Sequence, residues 1–378
     1  MSLRSLAVGA LALALAPAGV VAQAPGRLLP AGFGAGAAVG FESYRFGDPT
    51  QTGIERISLL TVPIAAEIPL VGSASLGFAG AYARGALTRA DGSTTTLQGL
   101  TDSQLSLSLP VKRGVATVTA VVILPTGKSS LSADQAVVAG VVASELLPFR
   151  ISNWGAGGAA GVSTAVAHSF GALGVGASAA YLVARQYDLV EPGAAAYRPG
   201  NQLRARLALD LSTGPAGKAS LQLTYLHSQD DRFSGANVFR PGDRFQAMGS
   251  YAFAAGGRAS GIVYAGVLRR ARGAYLVTLA PTATAENLFL AGGGARIPLG
   301  RAVVLPSLDL RVLRRTDTQN EGEVVGVGGS AEAPLAPGLT LVPSVRARFG
   351  RVQANPGSTT GFNGFDLGLG LRFGGGAQ

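Results

Sequence analysis

Apolar and polar residues alternate with a period of two along much of this chain. In 201–211 the odd positions Leu203, Ala205, Leu207, Leu209 and Leu211 are apolar, whereas the even ones are Gln202, Arg204, Arg206, Ala208 and Asp210. Successive side chains of a strand point to opposite faces, so such a stretch has one oily and one polar face. The same pattern sets Leu105, Leu107 and Leu109 against Gln104, Ser106 and Ser108. It sets Phe245, Ala247, Tyr251 and Phe253 against Arg244, Gln246 and Ser250, and Val304, Leu308, Leu310 and Val312 against Ser307, Asp309 and Arg311. In 339–349, Leu339, Leu341, Val345 and Phe349 oppose Ser344, Arg346 and Arg348. In 115–124 and 258–268 both faces are small or apolar, which predicts a wall packed against an inserted loop.

Two kinds of connection separate these stretches. Short Gly- and Pro-bearing turns fall at 69–72, 110–114, 169–172, 213–218, 255–258, 298–301 and 336–338. Longer, more polar segments fall at 47–53, 88–101, 125–155, 186–200, 229–242, 271–286, 314–322 and 351–362. Alternation of short turns with long loops is the pattern of an antiparallel up-and-down β-barrel. The spacing predicts an all-β transmembrane barrel of about 16 strands, with roughly 14 to 18 compatible. Nothing divides 23–378, which reads as one barrel domain.

The last stretch alternates Phe365, Leu367, Leu369, Leu371 and Phe373 with Asp366, Gly368, Gly370 and Arg372. A half-buried strand of a soluble sandwich has the same pattern. Its recurrence around the chain, behind a secretion leader, favours a membrane wall. In the leader, Arg4 supplies the charge, Leu6–Ala16 the apolar run and Val20-Val21-Ala22 a small-residue cleavage site, so 1–22 reads as a signal peptide. The aromatic-ended final strand resembles the terminal strand of Gram-negative outer-membrane barrels. That resemblance implies location in the cell outer membrane and recognition of this strand by the barrel-insertion machinery. It departs from that pattern in the tail Gly374–Gln378. Leu124-Pro125-Thr126-Gly127-Lys128, with Phe149 and Trp154, resembles a segment of outer-membrane proteins of the MetA phenol-degradation type. That likeness implies passage of solutes and brings no catalytic residue with it.

Which face meets lipid follows from energy. An Arg on the lipid face at the membrane midplane costs about 2–4 kcal/mol. The oily faces therefore go to lipid, and Arg204, Arg206, Arg244, Arg311, Arg346, Arg348 and Arg372 go to the lumen with Asp210, Asp309 and Asp366. The segment 125–155 is the longest connection. Ser132 precedes Val137, Val138, Val141, Val142, Leu146 and Leu147 at helical spacing, though a Val-rich strand pair is an alternative. An inserted loop would narrow the pore, with Asp134, Gln135 and Glu145 its candidate polar groups; an external lid or extra hairpin is the other reading.

Composition adds limits. The 378 residues include 55 Gly and no Cys. Mean hydropathy is +0.32, yet no later segment approaches the ~20 unbroken apolar residues of a spanning helix. Lack of Cys excludes thiol catalysis and thiolate metal sites. The net charge of +10 comes from scattered Arg, which argues against nucleic acid. Two His cannot form a His-based metal centre, and no cofactor motif is complete: the Gly that a phosphate loop needs ahead of Gly127-Lys128-Ser129 is Val122. His227-Ser228-Gln229-Asp230-Asp231 could suggest a rim hydrolase, but His227 and Ser228 fall on opposite faces. Tyr197-Arg198-Pro199-Gly200-Asn201 recurs as Phe239-Arg240-Pro241-Gly242-Asp243, and Pro then Gly predicts type II turns. The expected function is a non-enzymatic, porin-like channel for small solutes with a weak anion preference. The alternatives are a carrier of hydrophobic compounds with a plugged lumen and lateral opening, or a structural or adhesive barrel.

Overall fold

A computed structural model describes residues 34–70, 73–112, 115–189, 196–214, 216–276, 283–316, 321–355 and 357–374. The leader 1–22, parts of three short turns (71–72, 113–114 and 215) and the tail 375–378 lie outside the described residues. The strands are β1 (Gly34–Phe46), β2 (Ile54–Pro69), β3 (Ser75–Arg89), β4 (Thr94–Leu100), β5 (Ser103–Lys112), β6 (Ala116–Leu124), β7 (Ala159–Phe170) and β8 (Leu173–Ala184). The short β9 (Tyr187–Asp188) and β10 (Ala196–Arg198) precede β11 (Gln202–Ser212) and β12 (Gly217–Ser228). Then come the short β13 (Asp231–Phe233) and β14 (Ala236–Arg240), β15 (Arg244–Ala254), β16 (Ser260–Arg270) and the short β17 (Ala274–Tyr275). β18 (Glu286–Leu299), β19 (Ala302–Arg315), β20 (Glu321–Ala336), β21 (Leu339–Asn355) and β22 (Ser358–Phe373) complete the wall. The helices are α1 (Pro49–Thr52) and α2 (Ala133–Val142).

The long strands form one closed antiparallel barrel of sixteen positions. β4 and β5 share a position: β3 pairs with β4 at the long-loop end and with β5 at the other. Closure is made by β1 against β22, in register from Ala35↔Phe373 to Phe46↔Phe362. A closed ring leaves no row of unpaired backbone groups to meet hydrocarbon.

The short turns lie at one end, as the sequence predicts. Gly171 and Gly300 take the left-handed conformation there, with φ of 61° and 60°, which a side chain would resist. The long-loop end differs from expectation in three ways. Residues 88–101 form little loop, because β3 runs to Arg89 and β4 restarts at Thr94. The expected 351–362 loop is mostly wall as well, since β21 and β22 continue to Asn355 and from Ser358. Three long connections instead raise β9, β10, β13, β14 and β17 into a second, five-stranded sheet above the rim.

The Pro-Gly repeats stand at that rim. Neither Gly200 nor Gly242 has a positive φ, so the type II turns are not formed. A Cβ on Gly200 would strike the Gln229 carbonyl oxygen, and one on Gly242 that of Ala271. The next connection hydrogen-bonds beside each glycine, Gln229 N–H donating to Asn201 O at 2.9 Å and Ala271 N–H to Asp243 O at 2.8 Å. Close backbone approach, rather than turn type, fixes glycine in both copies.

The exterior is apolar. Leu107, Leu109, Leu203, Leu207, Leu211, Leu308, Leu310, Val345, Leu367 and Leu369 are all exposed on it. Tyr181, Tyr225, Phe245, Phe289 and Phe349 stand towards the long-loop end of this surface, and Phe170, Tyr251 and Phe373 towards the short-turn end. Two aromatic girdles around an apolar band match the two interfaces of a membrane.

Candidate functional site

The segment between β6 and β7 organises the interior. Its Val138 and Trp154 lie over Gly85 of β3. The Arg150 backbone N–H donates to Glu42 Oε2 of β1 at 3.0 Å, and Arg150 Nη2 donates to Asp366 Oδ1 of β22 at 2.6 Å. Glu145 Oε1 stands 3.6 Å from Arg244 Nη1 of β15. A segment leaving one point of a ring can reach all these strands only through the interior. The faces it touches are therefore the inner faces, and the connection is an inserted loop.

Local chemistry explains its shape. Ser132 caps α2 with a full capping box: its side chain accepts from the Gln135 N–H, and Gln135 Oε1 accepts from the Ser132 N–H at 3.4 Å. The helical spacing is thus realised and the strand pair is not. Both legs of the loop are clamped at Asp102, in the gap between β4 and β5. Asp102 Oδ1 accepts from Gly127 N–H at 3.0 Å and Oδ2 from Ala156 N–H at 2.7 Å. At this gap the Asp102 backbone N–H donates to the Trp154 carbonyl at 2.9 Å, so it is given to the loop rather than to a neighbouring strand.

The loop's apolar face covers one side of the inner wall. Val138, Val142, Leu146, Leu147 and Trp154 pack with Tyr44, Ile57, Leu59, Leu87, Leu97, Leu313 and Val324 in one buried cluster. Trp154 is 2% exposed, and its indole N–H donates to the Ala83 carbonyl at 3.2 Å. The small or apolar stretches 115–124 and 258–268 do not supply this wall; of them only Leu268 packs against the cluster. The inner faces of β1 to β4 and of β18 to β22 supply it. Gly85 marks the reason, since a Cβ there would come within 3.0 Å of Trp154 and 3.1 Å of Val138.

Charged residues on the inner faces fall into groups. Asp309 Oδ1 meets Arg346 Nη1 at 3.0 Å, and Asp309 Oδ2 meets Arg348 Nη1 at 3.1 Å. Arg348 is 3% exposed and also approaches Asp366 at 3.9 Å. Arg311 lies in the field of Arg348 and Asp309. Arg372 pairs with Glu332 at 3.0 Å. Asp210 pairs with Lys218 at 3.0 Å and accepts from Ser220 Oγ at 2.6 Å, so its partner is a lysine at the start of β12 rather than an Arg.

Arg204 and Arg206 differ from these. Residue 204 shares a row with Arg244, one strand away through Leu226. Among the described residues neither Arg204 nor Arg206 has an ion pair, and Arg206 Nε and Nη1 are buried with no hydrogen-bond partner. Arg204 lines a recess with Gln104, Ser163 and Gln202. Of the three loop residues expected to narrow a pore, Glu145 crosses to Arg244, Asp134 binds Arg89 at 2.7 Å and Gln135 is engaged in the cap.

Sequence reasoning missed Glu42, Arg150, Asp102 and Glu332. Glu42 had a signal: Gly36, Ala38 and Gly40 precede it on one face of β1, small residues under a bulky occupant. The occupant is Arg150, whose guanidinium a Cβ at Gly40 would meet. At the rim, His227 Nδ1 lies 2.8 Å from Asp243 Oδ1, and the Tyr225 hydroxyl donates to Asp243 Oδ2 at 2.8 Å. These contacts, Tyr225 first, hold the Asp243 carboxyl below the usual carboxylate range. His227 thus joins β12 to the start of β15 on the outward side, away from Ser228.

A closed sixteen-position antiparallel barrel with an apolar, aromatic-girdled exterior and an inserted loop is a transmembrane β-barrel of the outer-membrane type. No family model and no curated protein matches the chain, so the MetA-type likeness of 124–128 gains no support there. Similar solved structures are bacterial outer-membrane proteins. The anion-selective porin from Comamonas acidovorans is 13% identical, over 90% of this chain and 98% of that one, with a TM-score of 0.42. A mutant of the Rh. blastica porin is 15% identical, over 90% and 100%, with a TM-score of 0.39. A loop L8 deletion mutant of OmpT, an outer membrane protein of Vibrio cholerae, is 10% identical over 90% and 98%, with a TM-score of 0.41. At these levels no residue role transfers to this chain.

Proposed function

We propose that this barrel is an outer-membrane channel through which small solutes pass by diffusion, with a weak preference for anions. Arg204, Arg206, Arg244, Arg311, Arg346, Arg348 and Arg372 line it together with Asp210 and Asp309, and Asp134, Gln135 and Glu145 belong to the loop that narrows it. The observation that carries the reading is the contrast between paired and unpaired guanidiniums. Arg346, Arg348 and Arg372 are paired with carboxylates of Asp309, Asp366 and Glu332. Arg204 and Arg206 have no such partner among the described residues, and the loop's apolar cluster lies on other strands. A water-filled path beside them would attract anions. Purified protein in planar bilayers is expected to give stepwise ionic conductance; silent membranes would remove the channel reading.

The apolar cluster inside the barrel favours a second reading, a carrier of hydrophobic compounds. That reading needs a lateral exit, and the β1–β22 seam is paired over the whole of β1 beyond Gly34. Uptake of a neutral hydrophobic solute without ionic steps would select it.

A further inference from the structure

We propose that the outer mouth of the barrel holds a binding site for a small amphiphilic anion, an apolar body bearing one carboxylate. The proposal rests on the channel reading and narrows its solute class. A cavity of about 460 Å³ lies there between α2 and the outer ends of β1, β16, β18, β19, β21 and β22. Small-molecule sites commonly measure roughly 300–1,000 Å³. Phe46, Val137, Val141, Leu147, Val352 and Phe362 give the cavity its apolar lining.

Charge enters this lining in a defined way. Glu286 is nearly buried and is held between Arg270 at 2.6 Å and Arg315 at 2.7 Å. Glu286 thus joins two guanidiniums, each of which reaches the cavity lining. Glu145 also lines the cavity, and Arg244 stands 3.6 Å from it, which offsets its repulsion. Arg270 is a third exposed. A guanidinium has five N–H donors, and the Glu286 contact engages one of its nitrogens, Nη2. A ligand carboxylate can therefore be bound by donors of Arg270 facing the cavity, in the planar geometry that suits the pair.

The two halves act together. Apolar contact area supplies affinity and Arg270 supplies orientation and sign. An inorganic or very short anion gains only the charge contact, and a neutral alcohol of the same length gains only the apolar one. The site thus discriminates for molecules carrying both.

Octanoate, acetate and 1-octanol serve as probes, with the purified full chain in nanodiscs and equilibrium dialysis against protein-free nanodiscs. Octanoate is expected to bind saturably, and acetate at least about tenfold more weakly. Arg270→Gln should lower octanoate affinity about tenfold, the effect of losing one charge-assisted hydrogen bond, and leave octanol binding unchanged. Val137→Asp places a carboxylate in the cavity at an exposed position of α2, so it tests the site without endangering the fold. It should also weaken octanoate. Equal binding of octanoate and acetate, or octanoate binding indifferent to both substitutions, overturns the site. Conductance of the same preparations separates the two readings. Ionic steps without saturable octanoate binding overturn the site alone, whereas binding without steps upholds the site and removes the channel.

Discussion

Arg150 Nη2 and Asp366 Oδ1 lie 2.6 Å apart across 216 residues of sequence, tying the inserted loop to the strand that closes the barrel. Gly40 and Gly368 leave the space this guanidinium occupies, and Glu42 receives the backbone N–H beside it. Removing one member of a partly buried pair leaves the other unpaired in a poorly solvated place. Arg150→Gln is therefore expected to weaken loop docking by about 1–3 kcal/mol, allowing for the partial exposure of both side chains. Hydrogen exchange should quicken in 125–155 and stay slow in the β1–β22 seam. Unchanged exchange in the loop would show that this pair does not hold it.

Trp154 is the chain's single tryptophan, so its emission reports the loop alone. Buried against Gly85, it should emit at the blue end of the range and resist acrylamide. Gly85→Val puts branched carbon where Trp154 and Val138 already touch. Overpacking of this kind costs about 1–3 kcal/mol. A red-shifted, quenchable emission is expected, and a spectrum like wild type contradicts the packing described.

Gly200 and Gly242 hold equivalent rim positions although neither needs a left-handed backbone. Ala at either site would press a methyl group on a carbonyl oxygen of the next connection, that of Gln229 or Ala271. Gly200→Ala and Gly242→Ala should each expose the connection it touches, at 229–243 or 271–276, to proteolysis on intact cells. Gly171→Ala, strained at a short turn on the opposite side of the membrane, should leave both connections protected.

Acid should loosen the same rim through Asp243. Its carboxyl is held low by Tyr225 and His227, so the stabilisation is complete above the ordinary carboxylate pKa of about 4. It is lost as pH falls through the lowered value. Asp243→Asn should melt earlier than wild type near neutrality, and the gap should shrink as pH drops below about 4. A gap that persists in acid would assign the effect to packing.

Most of the wall was legible because a period of two is imposed by strand geometry, and the cost of Arg in hydrocarbon chooses the face. Leu203, Leu207 and Leu211 stand exposed on the outside for that reason. Turn residues such as Gly171 and Gly300 marked one end equally well. The long-loop end was harder to read. Thr94–Leu100 and Val352–Asn355 are polar enough to pass for loop, yet they pair in the ladder because the wall extends beyond the apolar band. The interior was less legible still. Nothing local in Asp102 or Arg150 announces a partner, since Gly127, Ala156 and Asp366 meet them only once the ring has closed.

The most direct measurement of the central claim is the zero-current potential of single channels in a salt gradient, for wild type and for Arg204→Gln with Arg206→Gln. Wild type is expected to favour chloride over potassium weakly, and the double variant to lose that preference while still conducting. Cation preference in wild type, or an anion preference untouched by the two substitutions, would contradict the assignment of these guanidiniums to the conducting path.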